Sequence, residues 1–182
     1  MRRGGRRSDA LLKSVQRKNI TPYESLFWEH STPGSMRSLL MAGLECFAEQ
    51  GFHGTTTRDI SKRANMSAAA MYLHFKSKES LLFHIAVVMS RAGHRALEEA
   101  SLVPGTPKER LRRMAKTHAE FHAKMSVAAR VTNYEIRSLG PKRRRVVLDL
   151  VDGSRELFRH CLRDGMATGE FRIADQIGRA HV

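Results

Sequence analysis

The chain has 182 residues, with 32 lysines and arginines against 18 aspartates and glutamates, a formal net charge of +14. A hydrophobic content of 41% excludes wholesale disorder, and the longest apolar run, Leu81 to Met89, is too short to span a bilayer. Two cysteines do not make a disulfide framework and indicate a reducing, cytoplasmic environment. The charge favours a polyanionic partner, foremost nucleic acid, but does not separate DNA from RNA or anionic lipid.

The first 35 residues are basic and are expected to precede the folded part of the chain. Four arginines flank a glycine pair within residues 2–7, a composition that resists a fixed fold. Two interpretations stay open: a solvated tail, or an arm that touches DNA phosphates. Turn-forming residues at 32–35 follow, and the first folded domain is predicted to begin at Met36.

The next stretch predicts one long helix and two short ones. Apolar residues recur at helical spacing over residues 36–51, where a glycine ends the element. Three threonines at 55–57 supply N-caps for a short helix that ends near Ala64. A second short helix is predicted over residues 67–74, capped by its serine. Two short helices joined by a tight turn indicate a helix-turn-helix, although helical hairpins are common.

The rest of the chain predicts further helices. A long helix follows Ser77, and a proline- and glycine-containing break at 104–107 ends it. Apolar residues then recur over 111–125, 126–139 and 146–162 at a spacing of three or four. No segment alternates with period two for long enough to predict a strand, so the expected class is all-α.

The helix-turn-helix segment resembles a known family. Residues 48–60, AEQGFHGTTTRDI, and 67–82, SAAAMYLHFKSKESLL, are similar to the amino-terminal domain of TetR-type transcriptional regulators. The motifs Phe-x-x-x-Gly-Phe, Thr-Thr-x-Arg-x-Ile, Tyr-x-x-Phe and Lys-Glu occur together in the family's order. The match covers about a quarter of the chain.

This resemblance implies an architecture and a function. A basic arm (1–35) would precede a helix-turn-helix head (36–82) and a helical effector-binding and dimerisation body (83–182). The chain would be a cytoplasmic, homodimeric repressor that binds a double-stranded DNA operator. A hydrophobic or acyl-CoA-like small molecule would release it, with no cofactor and no membrane contact.

The candidate DNA-binding residues lie in and around the two short helices. Hydroxyls at a helix start can meet phosphates or simply cap the helix, and alanine methyls can touch thymine methyls. The resemblance implies that Tyr72, His74 and Lys78 contact phosphates. The full set is Thr56, Thr57, Arg58, Ser67, Ala68, Ala69, Tyr72, His74 and Lys78.

The recognition helix departs from the family at one point. Many relatives carry lysine or glycine where this chain has Ala68 and Ala69. Alanines offer no hydrogen bond to a base edge, so specificity is expected to shift toward Arg58, Tyr72 and the shape of the DNA.

Two histidines four residues apart mark a candidate effector site. His118 and His122 share one helix face with apolar residues, and three interpretations stay open: buried core histidines, polar lining of a pocket, or metal ligands. No carboxylate or cysteine joins them at a telling spacing, so no metal is expected. The candidate effector residues are Met114, His118, Phe121, His122 and Tyr134.

Two rival functions and one expectation about length remain. The rivals are a non-specific nucleic-acid binder and, with no motif in its favour, a helical enzyme with a histidine-lined pocket. Family members continue past residue 172 into two dimer-forming helices. Because residues 177–182 resemble a translated sequencing adapter, the natural gene is expected to be longer and this chain a weak dimer.

Overall fold

The computed structural model describes residues 34–172, and this part of the chain is helical apart from its short connections. The elements are α1 (Gly34–Gly54), α2 (Thr57–Arg63), α3 (Ala68–His74), α4 (Lys78–Leu102), α5 (Pro107–Lys124), α6 (Ser126–Glu135), a 3-10 turn (Ile136–Ser138) and α7 (Pro141–Ala167). The all-α prediction is confirmed. The expectations for the basic arm before residue 34 and for the chain after residue 172 lie outside the described residues.

Side-chain caps set the helix starts that the sequence predicts. Thr56, Ser67, Ser77 and Thr106 each have extended backbone angles, and each side chain accepts a hydrogen bond from a backbone N–H in the first turn. Each cap satisfies a donor that the helix leaves without a partner. These four residues therefore fix where α2, α3, α4 and α5 begin.

Gly51 interrupts α1, as the sequence predicts. The chain bends there, and a further turn that the sequence did not predict continues to Gly54. Gly51 has φ 71° and ψ 170°, a conformation that a side chain disfavours. The bend brings the buried ring of Phe52 to 5.6 Å from that of Phe47, centre to centre.

The head, which we define as α1 to α3, shares one hydrophobic core with the rest of the molecule. Phe47 and Phe52 of α1 belong to the same buried cluster as Val131 of α6 and Leu139. The expected boundary between residues 82 and 83 falls inside α4, whose buried Leu81, Leu82 and Ile85 extend this core without a break. The helices of the body therefore support the head directly.

A second buried cluster lies at the far end of the body. It contains Leu97, Ala100, Met114 and Cys161, from α4, α5 and α7. Arg110 of α5 and Asp164 of α7 form an ion pair of 2.7 Å beside it. The body thus consists of α4 packed against α5 and α7, with α6 between these helices and the head.

Candidate functional site

Helix α3, the expected recognition helix, is held on α2 by a buried contact. Met71 is fully buried, and the Ser61 hydroxyl of α2 lies 3.4 Å from its sulfur. Ser61 also donates to the carbonyl oxygen of Thr57, 2.9 Å away. Ile60 and Phe75 complete this buried side. One face of α3 is thereby fixed, and the opposite face is left to solvent.

The solvent-facing side of α3 is apolar at its centre. At 100° per residue, Ala69 and Leu73 lie opposite Met71, and Tyr72 lies beside them. Leu73 is 85% exposed and Tyr72 is 52% exposed, both high for side chains of this size. Leu73 is not among the DNA-binding residues that the sequence predicts. Its spacing of four from Ala69 and its place opposite Met71 are the signals that could have found it.

The two ends of α3 bring in other candidate residues. Ser67 caps the helix by accepting a hydrogen bond from the N–H of Ala70 at 3.0 Å, and Ala68 is exposed beside it. At the other end, His74 Nε2 lies 2.8 Å from the hydroxyl of Ser35 in α1. The serine is therefore committed to the cap, and the histidine joins α3 to the start of α1.

The start of α2 is closed by a reciprocal cap. The Thr56 hydroxyl accepts from the N–H of Asp59 at 3.1 Å and donates to its carboxylate at 2.7 Å, while the N–H of Thr56 donates to the same carboxylate at 2.9 Å. The hydrogen bonds from the Thr56 hydroxyl and N–H lower the pKa of Asp59. Of the neighbouring candidates, Arg58 is exposed and Thr57 is half-buried.

Lys78 makes several contacts within the protein. Its ammonium group donates to the carbonyl oxygens of Phe52 and Thr55 at 2.7 Å each and to that of His53 at 3.5 Å. It also lies 4.5 Å from the centre of the Phe52 ring. An ammonium group has three protons, so its donors are already in use. Lys78 therefore ties the start of α4 to the end of α1, and its contact with a phosphate stays a prediction.

An ion pair holds α2 against α1. Arg63 lies 2.6 Å from Glu49 and 3.8 Å from Glu45, both carboxylates of α1. The hydrogen bond to Glu49 raises the pKa of Arg63, and burial raises the pKa of Glu45. These contacts lie away from the exposed face of α3 and leave Arg58 as the basic side chain of α2 next to its start.

A cavity of about 350 Å³ lies in the body. Its apolar lining includes Met89, Leu97, Phe121, Val151 and Phe158. Its polar lining consists of Ser90, His94, His118, His122, Thr132, Asn133, Ser154 and Arg155. The wall is shared by α4, α5, α6 and α7, each of which supplies part of it. Volume and lining are typical of a small-molecule site.

The two histidines of α5 line this cavity. Their ring centres are 4.4 Å apart, and the ring of Phe158 meets His118 edge-on at 6.0 Å. His118 is exposed at the cavity wall and His122 is half-buried, so neither is a fully buried core residue. Burial nevertheless lowers the pKa of both, and the neighbouring His118 lowers that of His122 further.

Two of the five expected effector residues lie elsewhere. Met114 is fully buried in the second cluster beside Leu97 and Cys161 and does not line the cavity. Tyr134 is 72% exposed and borders a shallow groove between α6 and the end of α1. Helix α6 begins directly after α5 and turns this residue away from the cavity. His118, Phe121 and His122 do line it.

The metal interpretation of His118 and His122 finds no third ligand in the described part of the chain. Residues 34–172 hold no group of three or more histidine, cysteine, aspartate or glutamate side chains arranged to bind a metal. Within the same range, none of the helices combines the length and the apolar content that a bilayer crossing requires.

Two segments of the chain match models of known protein families. Residues 39–85 match "Bacterial regulatory proteins, tetR family", and residues 104–178 match "Tetracyclin repressor-like, C-terminal domain". The Fatty acid metabolism regulator protein of Bacillus subtilis (strain 168) is 27% identical over 136 residues, which are 74% of this chain and 69% of that protein.

Two solved structures agree with the fold over most of its length. A bacterial regulatory protein in the tetR family from Rhodococcus RHA1 superposes with a TM-score of 0.75 at 30% identity, covering 78% of this chain and 74% of the other. The regulator PfmR from Thermus thermophilus gives 0.71 at 33% identity, covering 75% of each chain. The likeness thus includes the body as well as the head.

Proposed function

Because the chain belongs to the TetR family of bacterial regulatory proteins, we propose that it is a repressor that leaves its operator when a small molecule enters the cavity. DNA-binding transcriptional regulation is the common activity of this family and of this chain. The repressive sense, the effector and the contact residues are the proposed part. The proposal also takes the DNA-bound form to be a homodimer, since a two-fold dimer presents two recognition helices to two half-sites.

The observation that carries the proposal is the continuity of α4. Its first half places Leu81, Leu82 and Ile85 in the core of the head, and its second half supplies cavity wall. Lys78, at its first residue, is bonded to the carbonyl oxygens at the end of α1. A ligand that displaces the second half of α4 therefore acts on the head through a rigid element, and ligand and DNA would then favour different positions of that element.

On the DNA side, we place the recognition surface on α3 and the start of α2. Ala69 and Leu73 face outward at the centre of α3 and would meet base edges, with Tyr72 and Arg58 toward the backbone. Thr57 and Ala68 would contribute near the helix starts. Thr56, Ser67 and Lys78 act in this proposal by holding the two helices in place.

On the effector side, the apolar lining and the absence of any acidic residue among the described lining residues support an apolar or acyl-bearing molecule. The relative from Bacillus subtilis is named a fatty acid metabolism regulator, which supports the same class. Arg143 of α7 pairs with Glu79 at 3.0 Å and does not line the cavity.

The test begins with DNA selected from a random pool by the full 182-residue chain. Selection of a two-fold sequence, bound at least about a thousandfold more tightly than random DNA, supports the proposal. Affinity that ignores sequence and follows only salt would favour the non-specific binder instead. The selected DNA is then titrated with the chain in the presence of amphipathic candidates, and release of the DNA identifies the effector class.

A further inference from the structure

We propose that the cavity binds an amphipathic monocarboxylate of medium chain length, and that the pair His118–His122 takes up one proton as the carboxylate enters. The inference rests on the proposed function, because it names the ligand of the same cavity. It concerns the headgroup of the ligand, its size and the proton that accompanies it.

The size follows from the volume. A volume of about 350 Å³ lies at the lower end of the roughly 300–1,000 Å³ of small-molecule sites. An acyl chain of medium length belongs to this size class. A free acid and the acyl chain of an acyl-CoA both fit such a volume, so the choice between them rests on the headgroup that the lining can receive.

The charge follows from the lining. Arg155 and three histidines contribute to the wall, and none of the described lining residues is acidic. Arg155 is held by Asp152 at 2.6 Å, and its charge is therefore partly balanced. His94 is paired with the Ser154 hydroxyl at 3.3 Å. The two histidines of α5, whose ring centres are 4.4 Å apart, can receive an anion together with the donors of Arg155 that Asp152 leaves free.

The surroundings of those histidines indicate why a proton would be taken up when the ligand binds. His122 is flanked by the rings of Phe121 and His118, and burial holds the pKa of both histidines below the ordinary value of about 6.5. Both rings are therefore neutral at pH 7.5. From the other helices, α4 presents His94, α7 presents Arg155 with Asp152, and α6 presents only uncharged groups. A carboxylate would be the missing counter-charge, and a proton from solvent would complete the ion pair.

A second observation points to a polar headgroup. Thr132 lies in the cavity wall and is only 7% exposed, and its hydroxyl has no hydrogen-bond partner among the described residues. A buried hydroxyl without a partner is costly, so such groups are normally satisfied. A rotation of this side chain toward the cavity would allow it to donate to a carboxylate oxygen.

The experiment is calorimetric titration of the full chain with sodium decanoate and with 1-decanol at pH 7.5, in phosphate and in Tris. These buffers differ strongly in their heat of ionisation. If one proton is taken up, the binding heat of decanoate differs between buffers by nearly the whole difference in ionisation heat, whereas that of decanol does not. The affinity for decanoate should also fall by up to about tenfold per pH unit between the pKa of the free pair and that of the bound pair.

Variants locate the proton. His118→Gln and His122→Gln should each reduce the buffer dependence and the affinity for decanoate while leaving decanol binding nearly unchanged. His160→Gln, an exposed histidine of α7 outside the cavity lining, is the matched control and should bind as the parent does. Decanol binding and thermal unfolding report whether each variant is folded.

Several results would overturn the inference. They are decanoate heats that are equal in both buffers, decanol that binds as tightly as decanoate, full buffer dependence in both glutamine variants, or failure of decanoate to bind. Decanol binding without decanoate binding would leave the proposed function standing. Operator selection with the same preparation tests the DNA-binding half separately.

Discussion

The ammonium group of Lys78 lies 2.7 Å from the carbonyl oxygen of Phe52 and 4.5 Å from the centre of the same residue's ring. One side chain thus satisfies the carbonyl end of α1 and packs on the aromatic ring that closes it. This charged hydrogen bond joins the head to the first residue of α4. A movement of α4 would be transmitted to the head at this point. The sequence identified Lys78 as a residue of the site but assigned it a different contact.

Lys78→Met should lower the free energy of unfolding by about 2–3 kcal/mol, because the carbonyl oxygens of Phe52 and Thr55 lose a charged donor. Urea unfolding measures this. Lys76→Met, an exposed lysine two residues away, is the control and should change stability little. A Lys78 variant that is as stable as the Lys76 variant yet loses operator affinity would show that the lysine contacts phosphate.

Tyr72→Phe should weaken binding to the selected operator by about 1–1.5 kcal/mol, because only the exposed hydroxyl that we assign to a phosphate is removed. Fluorescence anisotropy measures the affinity, and circular dichroism should not change. Tyr134→Phe removes a more exposed hydroxyl from α6 and is the matched control. Unchanged affinity in the Tyr72 variant would remove this residue from the interface.

Leu73→Ala should weaken operator binding by about 1 kcal/mol and should not destabilise the fold, since the side chain is 85% exposed. Thymine carries the methyl group of the major groove, so deoxyuridine in place of a contacted thymine should weaken binding by the parent chain. The same DNA change should have little effect on the alanine variant. Equal sensitivity of the two proteins to every such change would mean that Leu73 does not read a methyl group.

Asp59→Asn should lower the free energy of unfolding at neutral pH, and it should lower it by less in acid. The pKa of Asp59 is lowered in the folded chain, so its carboxylate stabilises the fold above the unfolded pKa of about 3.9. This contribution is lost as the pH falls through the folded value. Melting temperatures measured from about pH 3 to pH 7 should therefore converge at low pH. Glu98→Gln, at an exposed position of α4, should follow the parent throughout.

Thr132→Val should raise the free energy of unfolding of the ligand-free chain by about 1 kcal/mol. The hydroxyl is buried without a partner among the described residues, and valine has nearly the same shape. Thermal and urea unfolding both measure the change. Thr117→Val on α5 provides a comparison at a half-buried position. A less stable valine variant would indicate that the Thr132 hydroxyl has a partner in solution.

Much of the fold follows from local sequence signals. Three helix starts were predictable from their N-caps, Thr56, Ser67 and Ser77, because an N-cap acts on the backbone within three residues of itself. The order of the helices and the all-α class follow from such caps and from apolar spacing. The continuation past Gly51 was not predictable, because a glycine at positive φ can end a helix or bend it.

The candidate site was predictable only in part. The spacing of His118 and His122 placed them on one face, but it could not show that Phe158 of another helix would meet them. Met114 lies on α5 and Tyr134 lies on α6. The packing of these two helices decides which of their side chains face the cavity, and the sequence does not show this packing. The contacts of Lys78 within the protein were not predictable for a similar reason, since its acceptors lie more than twenty residues earlier in the chain.

The core that joins α1 to α6 bears on how this protein can be recombined. Phe47 and Phe52 pack in the same cluster as Ala128 and Val131, so the head cannot be separated from α6 without exposing this cluster. A chimera joined after residue 82 would pack α1 of this protein against α6 of another protein. Apolar side chains at that contact would then be left exposed or would clash. Grafting a new operator preference onto this scaffold therefore calls for exchanging the outer face of α3 alone, or for moving the α6 surface together with the head.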